Sequence, residues 1–453
     1  MNYLFVMPSS TKIKQQAYVF PIGIAYVSAS LKASGRKVFT LNLNYKEGSI
    51  SEIISDTIWN NQIDVIAVGG LTAQYWAVKE IIDCAKAAKP DLIVWVGGGL
   101  ITSDPIAAME ALENADCGMI GEGEITICKL AEAVEQNLDL ETVKGIVYKR
   151  KKEWFITEKQ EEIQDLDHLP YPDYEGFEFG EVVKKEPTDM FAIAGGHFAC
   201  ISFGRSCPFQ CTFCFHPSGT KYRKRSLDSA FAEIDWLLER YDIRNIYVTD
   251  ELFSQDIDYV REFCKRIKQR KLGFMVQLRV DFITEELVRL LKESGCISAL
   301  LGLESANNAV LKSMRKHITI EQIESALQLL YQVGLNAQGT FIFGDLAETK
   351  ETALQTIQWW KEHPQYLIKL AFITVYPGSY LYQVACKQGI IKDNVQFIKD
   401  GCPYIHVSKL TDKAYRELTE LVDSLYSESS DYLEEVKIEY TGFGKVSFSG
   451  RCP

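Results

Sequence analysis

Cys207, Cys211 and Cys214 stand in the segment GRSCPFQCTFCFH, three thiols within eight residues. A soft metal centre needs several thiolates converging on a small volume, and a loop with this spacing can wrap around one. Residue types alone leave three readings open. The cysteines can be ordinary buried side chains. They can bind zinc with His216 completing a Cys3His set, the four ligands that a structural zinc site normally takes. Or they can hold a [4Fe-4S] cluster whose fourth iron stays open to a ligand. Further chemistry-bearing residues end later apolar runs: Asp250 and Glu251 in TDELF, Arg279 and Asp281 in QLRVD, Glu304 and Ser305 in GLES. Singly, a charged residue in such a place is more often just solvated. Tyr404 and His406, near the C-terminal tail, are candidates of the same kind, a lone histidine there being more often structural.

The elements that must position these residues come in two alternating series. Apolar runs at about 3–7, 37–43, 64–69, 92–96 and 118–120 read as strands, separated by helical periodicity at about 22–35, 49–61, 75–89, 104–114 and 124–136. Five alternations imply a parallel sheet covered on both faces, a doubly wound, Rossmann- or flavodoxin-like domain over residues 1–140. Residues 141–194 read as a linker: GIVYKRKKEWFITEK suggests a hairpin with KRKK as its solvated turn, and DLDHLPYPDYEGF has no period. Over 195–400 a second series supplies six strand-like runs, FACISF, NIYVT, FMVQL, SALLGL, QGTFIF and IKLAFITV. Six are too few for a closed eight-stranded barrel and suit an open (β/α)6 partial barrel. In its first intervening helix Leu227, Phe231, Ile234, Leu238 and Tyr241 share a face behind Ser226, a residue that can cap it. Residues 401–453 form a small, mainly helical extension with one clear helix at about 411–427.

Spacing and surroundings of the cysteines resemble the radical SAM (S-adenosylmethionine) superfamily: C-x3-C-x2-C, with Phe213 just before the last cysteine, on the loop after the first strand of a six-unit α/β barrel. The resemblance implies a [4Fe-4S] cluster on Cys207, Cys211 and Cys214 whose open iron chelates the amino and carboxylate groups of SAM. An electron from the cluster then cleaves the sulfonium to a 5′-deoxyadenosyl radical, which abstracts hydrogen from a substrate. A radical of that reactivity demands a dry, positioned site. The resemblance further implies SAM contacts from Phe213, from Glu251 beside Asp250 after the second strand, and from Arg279 after the third. Glu304 and Ser305 after the fourth strand and Phe341 in GTFIFGD on the fifth complete the implied set, with VYPGSYLY at the end of the sixth.

In the first domain, FPIGIAYVSASLKASGRKVFTLNLN, VGGLTAQY, VWVGGGLI and MIGEGEIT look like the cobalamin-binding domain that precedes the barrel in one large branch of that superfamily. This likeness implies a corrin on the C-terminal strand ends, touched by Gly23, Leu71, Thr72, Gly97, Gly98, Gly99, Gly121, Glu122 and Gly123. From spacing alone the GGG is as readily a tight strand-to-helix turn, and it is not the spaced G-x-G-x-x-G dinucleotide pattern. Many cobalamin domains coordinate cobalt through the histidine of Asp-x-His-x-x-Gly, yet no histidine precedes His168. No imidazole of this domain is therefore expected below the cobalt.

The function so implied is a cobalamin-dependent radical SAM methyltransferase, moving a methyl group from methylcobalamin to an unactivated carbon or to phosphorus after hydrogen abstraction. An oxidative cyclisation or rearrangement with the same cofactors is the alternative. A non-catalytic cobalamin sensor would leave the cysteine loop unexplained. A methylthiotransferase would need three N-terminal cluster cysteines, whereas Cys84 and Cys128 fall within helical patterns and only Cys117 lies near a strand start. The expected partners are a small-molecule or peptide substrate and an electron donor such as flavodoxin or ferredoxin. A net charge of -12 argues against wrapping nucleic acid, whose phosphates need a concentrated basic surface. With 47% hydrophobic and 24% charged residues, no long apolar span, no secretory leader pattern and twelve scattered cysteines, the 453-residue chain reads as a cytoplasmic globular protein without membrane segments.

Overall fold

The computed structural model describes residues 1–9, 19–44, 46–185, 196–253, 255–433, 437–441 and 445–449, with side chains described up to residue 425. The first unit is built on β1 (Asn2–Met7), β2 (Lys37–Asn42), β3 (Val65–Gly69), β4 (Ile93–Gly97) and β5 (Cys117–Met119), all parallel, in the order β2-β1-β3-β4-β5. Their apolar runs are continuous because helices cover both faces. Tyr3, Phe5 and Met7 of β1 point into one core, and Leu4 and Val6 into the other. The helix expected at 104–114 is instead two, Gly99–Ser103 and Pro105–Ala111. Pro105 has no N–H to continue a helix, and the Asp104 side chain restarts it by accepting the Ala107 N–H.

A correction concerns the segment read as a linker. The hairpin, β6 (Ile146–Arg150) and β7 (Glu153–Ile156), adds antiparallel to β5 and completes a seven-stranded sheet, with Lys151 and Lys152 in its exposed turn. The stretch after it, aperiodic in sequence, is packed: Tyr174, Phe177 and Phe179 are fully buried. There the Tyr174 hydroxyl donates to Glu233 at 2.7 Å, and Lys32 pairs with Asp173 at 2.7 Å. The expected boundary at 194–195 lies at the edge of the described residues.

The second unit opens with β8 (Phe198–Ile201). Two-residue strands β9 (Gly204–Arg205) and β10 (Arg223–Lys224) follow, pairing antiparallel. Then come β11 (Asn245–Val248), β12 (Gly273–Leu278), β13 (Cys296–Glu304), β14 (Asn336–Phe343) and β15 (Leu367–Phe372). β8, β11, β12, β13, β14 and β15 lie side by side in chain order, all parallel, the open six-stranded arrangement of a partial barrel. Amphipathic helices cover its outside. In Ile257–Arg270 the residues Val260, Phe263, Cys264 and Ile267 are buried, and Asp256 caps the first turn. Phe263 packs edge-on against Phe203, Phe253 and Phe274 at 4.9–5.1 Å between ring centres; truncating such a residue to alanine costs roughly 3–5 kcal/mol.

The extension contains a helix, Asp412–Leu433, and an antiparallel pair, Lys437–Thr441 with Lys445–Ser449. Among the described residues the cysteines are free thiols, and no helix is long and apolar enough to cross a membrane.

Candidate functional site

The C-terminal ends of the two sheets face each other. After β4, Asp104 accepts from Tyr382 at 3.0 Å and from Asn394 at 3.2 Å, both beyond β15. After β5, Glu122 accepts from Arg205 at 2.9 Å, just beyond β8. These are the ends at which open α/β sheets bind ligands.

The cysteine loop is laced to this rim by its backbone. The Thr212 N–H donates to the Met314 carbonyl, the Leu381 N–H donates to the Thr212 carbonyl, and the Cys214 N–H donates to the Cys211 carbonyl. Gly378, with φ of 86°, lies so close to Phe215 that a Cβ would come within 2.4 Å of its ring. Only glycine allows both that backbone angle and that approach. Arg279 stacks its guanidinium 3.6 Å from the centre of the Phe209 ring.

Among the described residues no three histidine, cysteine, aspartate or glutamate side chains converge on a point that a single metal ion could occupy. His216, the fourth ligand a zinc reading would need, has its Nδ1 3.5 Å from the Glu251 carboxylate, and both its ring nitrogens are buried without a hydrogen-bond partner. A [4Fe-4S] cluster takes each thiolate on its own iron, and the donor set suits it: three thiols on one loop, with Cys214 near enough to feel both Cys207 and Cys211. Burial raises each above its ordinary value, Cys214 to about 12; the Cys207 and Cys214 thiols are raised further by repulsion from their neighbours, while Lys316 and Arg279 act in the opposite sense at Cys211. A cationic cluster core reverses that balance, since thiols bound to metal lose their protons outright.

The other sequence-predicted residues divide. Glu251 is exposed beside His216 and close enough to Cys207 and Cys214 to repel their thiolates. Its neighbour Asp250 turns inward, where it accepts the Phe203 N–H at 2.7 Å and is pushed up to about 7 by burial. Arg279 is paired with Asp281 at 3.0 Å and donates to the Lys316 carbonyl at 2.7 Å. Phe213 packs beside Met314 and Leu381 in the small apolar cluster behind the loop. Glu304, buried and with φ of 67°, sits where the pairing of β13 with β14 shifts register, and its carboxylate meets Lys316 Nζ at 2.6 Å. Backbone conformations of this kind persist only where surroundings enforce them, and they cluster at functional sites.

Two further expected SAM contacts have partners within the fold. Ser305 contacts Thr356 at 3.2 Å and accepts the Asn307 N–H at 3.1 Å, so its hydroxyl serves the backbone beyond β13. Phe341 is fully buried against Trp359 of the outer helix Lys350–Glu362, because alternate residues of β14 face outward. In the tail, His406 stacks on Tyr415 and contacts Ser408 and Asp412, whereas Tyr404 is 73% exposed.

On the opposite rim the loops after β3 and β4 interlock. Gly98, with φ of 84°, approaches Gly70 so closely that a Cβ would meet its carbonyl oxygen at 2.8 Å. The Leu100 N–H donates to that same carbonyl. Leu71 stands 62% exposed on this rim, with Thr72 buried behind it and Gly99 beneath. Gly23 and Gly121 have open space where a side chain would be. Such a rim of bare backbone with an exposed apolar tip suits a flat, bulky ligand. Gly97 meets only Met119 at ordinary contact distance, and Gly123 lets Val27 pack against its helix. Glu122 is tied into the second unit. One of its oxygens accepts from Arg205 and the other from Arg223 and the Ile163 N–H, so its carboxylate is engaged across the two units. Lys316, Arg205, Arg223 and Glu124 were not singled out by sequence, where nothing marks a lysine or arginine whose partner stands far along the chain.

Residues 201–359 match the family model of the radical SAM superfamily, and residues 12–131 match that of the B12 binding domain. An uncharacterized methyltransferase of Pyrococcus horikoshii is 27% identical over 86% of this chain and 84% of its own length. The anaerobic magnesium-protoporphyrin IX monomethyl ester cyclase of Rubrivivax gelatinosus is 28% identical over 80% of this chain and 66% of its own length. The solved structure of TsrM, a radical S-adenosylmethionine methyltransferase from Kitasatospora setae with cobalamin and a [4Fe-4S] cluster bound, shares the fold: TM-score 0.71, 18% identity, 85% of this chain and 75% of that one.

Proposed function

We propose that this chain, a radical SAM enzyme with a B12-binding domain, is a methyltransferase that works in the cleft between its two facing strand-end rims. When bound, the cluster and SAM supply a hydrogen-abstracting 5′-deoxyadenosyl radical and the cobalamin supplies the methyl group. The observation that carries the reading is the facing of the rims, bridged at Asp104 and at Glu122, so that one substrate atom can be reached from both sides.

The residues around the cleft have separable tasks. Cys207, Cys211 and Cys214 hold the cluster. Glu251, on the open side of the loop, is suited to accept hydrogen bonds from the SAM ammonium, and Glu304 with Lys316 offers a fixed acid and base to its polar groups. Phe213 keeps the loop in shape, and Arg279 braces it through Phe209. On the other rim Gly23, Leu71, Thr72, Gly98, Gly99 and Gly121 are placed to receive the corrin. The walls are apolar behind the loop, which keeps water from a reactive radical. The substrate is a small molecule or peptide, and the reductant is a flavodoxin- or ferredoxin-type donor. Free thiols accord with a cytoplasmic setting.

The test is anaerobic reconstitution with iron, sulfide and cobalamin, followed by reduction with methyl-labelled SAM. A methyltransferase releases S-adenosylhomocysteine and leaves label on the protein-bound corrin even before substrate is supplied. Release of 5′-deoxyadenosine with no S-adenosylhomocysteine under any reducing condition would exclude it and favour the cyclase-type reaction of the Rubrivivax relative.

A further inference from the structure

We infer that Glu122, Glu124, Arg205 and Arg223 form a strut that sets the distance between the corrin loop and the cysteine loop, which makes Glu122 a positioning residue for methyl transfer; this rests on the two-cofactor reading above. Glu122 stands between Gly121 and Gly123 at the end of β5, in the loop that carries part of the corrin rim. One carboxylate oxygen accepts from Arg205 at 2.9 Å. The other accepts from Arg223 at 2.7 Å and from the Ile163 N–H at 2.7 Å. Arg205 uses its second nitrogen on Glu124 at 2.7 Å, so one guanidinium spans two carboxylates of the first unit.

The far end of the strut is the cysteine loop itself. Arg205 lies two residues before Cys207, in the β9–β10 ladder that closes the base of residues 204–224. Arg223 donates from its second amino group to the Ser206 hydroxyl at 2.9 Å and to the Ser218 carbonyl at 2.8 Å, on the two sides of the three cysteines. The Ser206 hydroxyl also donates to that carbonyl at 2.7 Å. A displacement of the Glu122 loop is therefore passed through two rigid, planar forks to both ends of the loop that would hold the cluster.

Stability alone does not account for the arrangement. All four side chains are almost fully buried, at 13% exposure or less. Burying three ion pairs generally gains little over apolar packing, whereas the fork geometry of arginine fixes direction as well as distance. Gly121, with φ of 80° and open space about it, leaves the loop before Glu122 with little stiffness of its own, and the carboxylate ties that loop to the second unit. An interdomain adhesive would not need the second arm of Arg223 on Ser206 and Ser218.

The experiment uses the full-length protein loaded with both cofactors, the cluster reduced and the cobalamin as cob(II)alamin, and reads their magnetic coupling by electron paramagnetic resonance. The wild type is expected to give one well-defined coupling. Glu122→Gln, at equal iron and corrin content, is expected to give a spread of couplings equivalent to about an ångström, a misplacement that can lower a rate roughly 100-fold. Glu135→Gln, which breaks the 3.0 Å pair with Arg36 at the opposite end of the same helix, is expected to leave the coupling unchanged. Should Glu122→Gln fail to retain either cofactor, Arg205→Lys, which keeps the charge but cannot span both carboxylates, decides by the same readout. A wild-type coupling in Glu122→Gln, or in Arg205→Lys where that variant decides, overturns the strut. Because the coupling is measured without turnover, that result is distinct from a failure to transfer methyl groups.

Discussion

Replacing Glu304 by glutamine separates what this residue does for the fold from what it does for SAM. Its carboxylate meets Lys316 Nζ at 2.6 Å, with the two side chains only 7% and 9% exposed. Gly302 makes the contact feasible, since a Cβ there would lie 2.4 Å from the Glu304 oxygen and 2.7 Å from the lysine nitrogen. In Glu304→Gln the ammonium remains, buried and uncompensated, with Arg279 nearby as a second cation. Breaking one side of a buried pair costs about 3–5 kcal/mol. At roughly 2–4 °C per kcal/mol for folding units of roughly 150–250 residues, the unfolding transition of the apo-protein should fall by about 10 °C. The double variant Glu304→Gln with Lys316→Met leaves neither charge stranded and should recover most of that loss, because replacing both members of a buried pair is often nearly neutral. Calorimetry of the three proteins tests this, with equilibrium dialysis of SAM onto the reconstituted forms alongside. If Glu304 touches SAM, the double variant recovers its stability while binding SAM about ten-fold more weakly, as loss of a charge-assisted hydrogen bond requires. A single variant as stable as the wild type would refute the buried-pair reasoning, and a double variant with wild-type SAM affinity would take Glu304 out of the site.

Three further outcomes follow from named residues. Changing Cys207, Cys211 and Cys214 together to alanine should abolish the cluster absorbance and all SAM cleavage while corrin is still retained, because the β2–β4 core is separate from the cysteine loop; iron, acid-labile sulfide and corrin analyses of one preparation check it. Cob(II)alamin on the protein, bound with its own base displaced, should show cobalt lines without nitrogen splitting, since no histidine precedes His168, which is exposed and paired with Asp165 at 2.6 Å; triplet splitting by a protein nitrogen would contradict this. Glu348, 1% exposed, is pushed up to about 7 by burial. The folded chain holds this proton to about pH 7 while the unfolded chain releases it near roughly 4.3, so stability falls as pH rises across that window, and Glu348→Gln should flatten the fall between about pH 4 and about pH 7 in thermal unfolding.

How much was legible in the sequence depended on whether the signal was local. Strand runs such as YLFVM and the three-and-four spacing of Val260, Phe263 and Ile267 lie within one element, so periodicity found them. Ser226 could be recognised as a cap because its partner, the Ser229 N–H, is three residues away. The cysteine loop was legible for the same reason, its ligands standing within eight residues of each other. The hairpin was found as a hairpin, but its docking on β5 was not, because pairing across a sheet leaves no trace in the spacing of either strand.

The residues whose surroundings sequence could not supply share one property: their partners stand far along the chain. Glu122, inside a motif whose likeness pointed to the corrin, is held together with its neighbour Glu124 by arginines 81 to 101 positions away. Phe341 and Ser305 depend on which side of a strand end faces the outer helix Lys350–Glu362, a matter settled by Trp359 and Thr356. Lys316 shows the same dependence in the other direction. In sequence it follows Arg315 in an unremarked RKH run. In the fold the chain after Asn308–Ser313 doubles back, with φ of 53° at Arg315 and 56° at His317, and turns the lysine inward onto Glu304 while Arg315 stacks on Tyr380. Those two left-handed residues are where backbone strain and a buried charge meet beside the cysteine loop, and a motif search, which reads residue types but not dihedral angles, has no access to either.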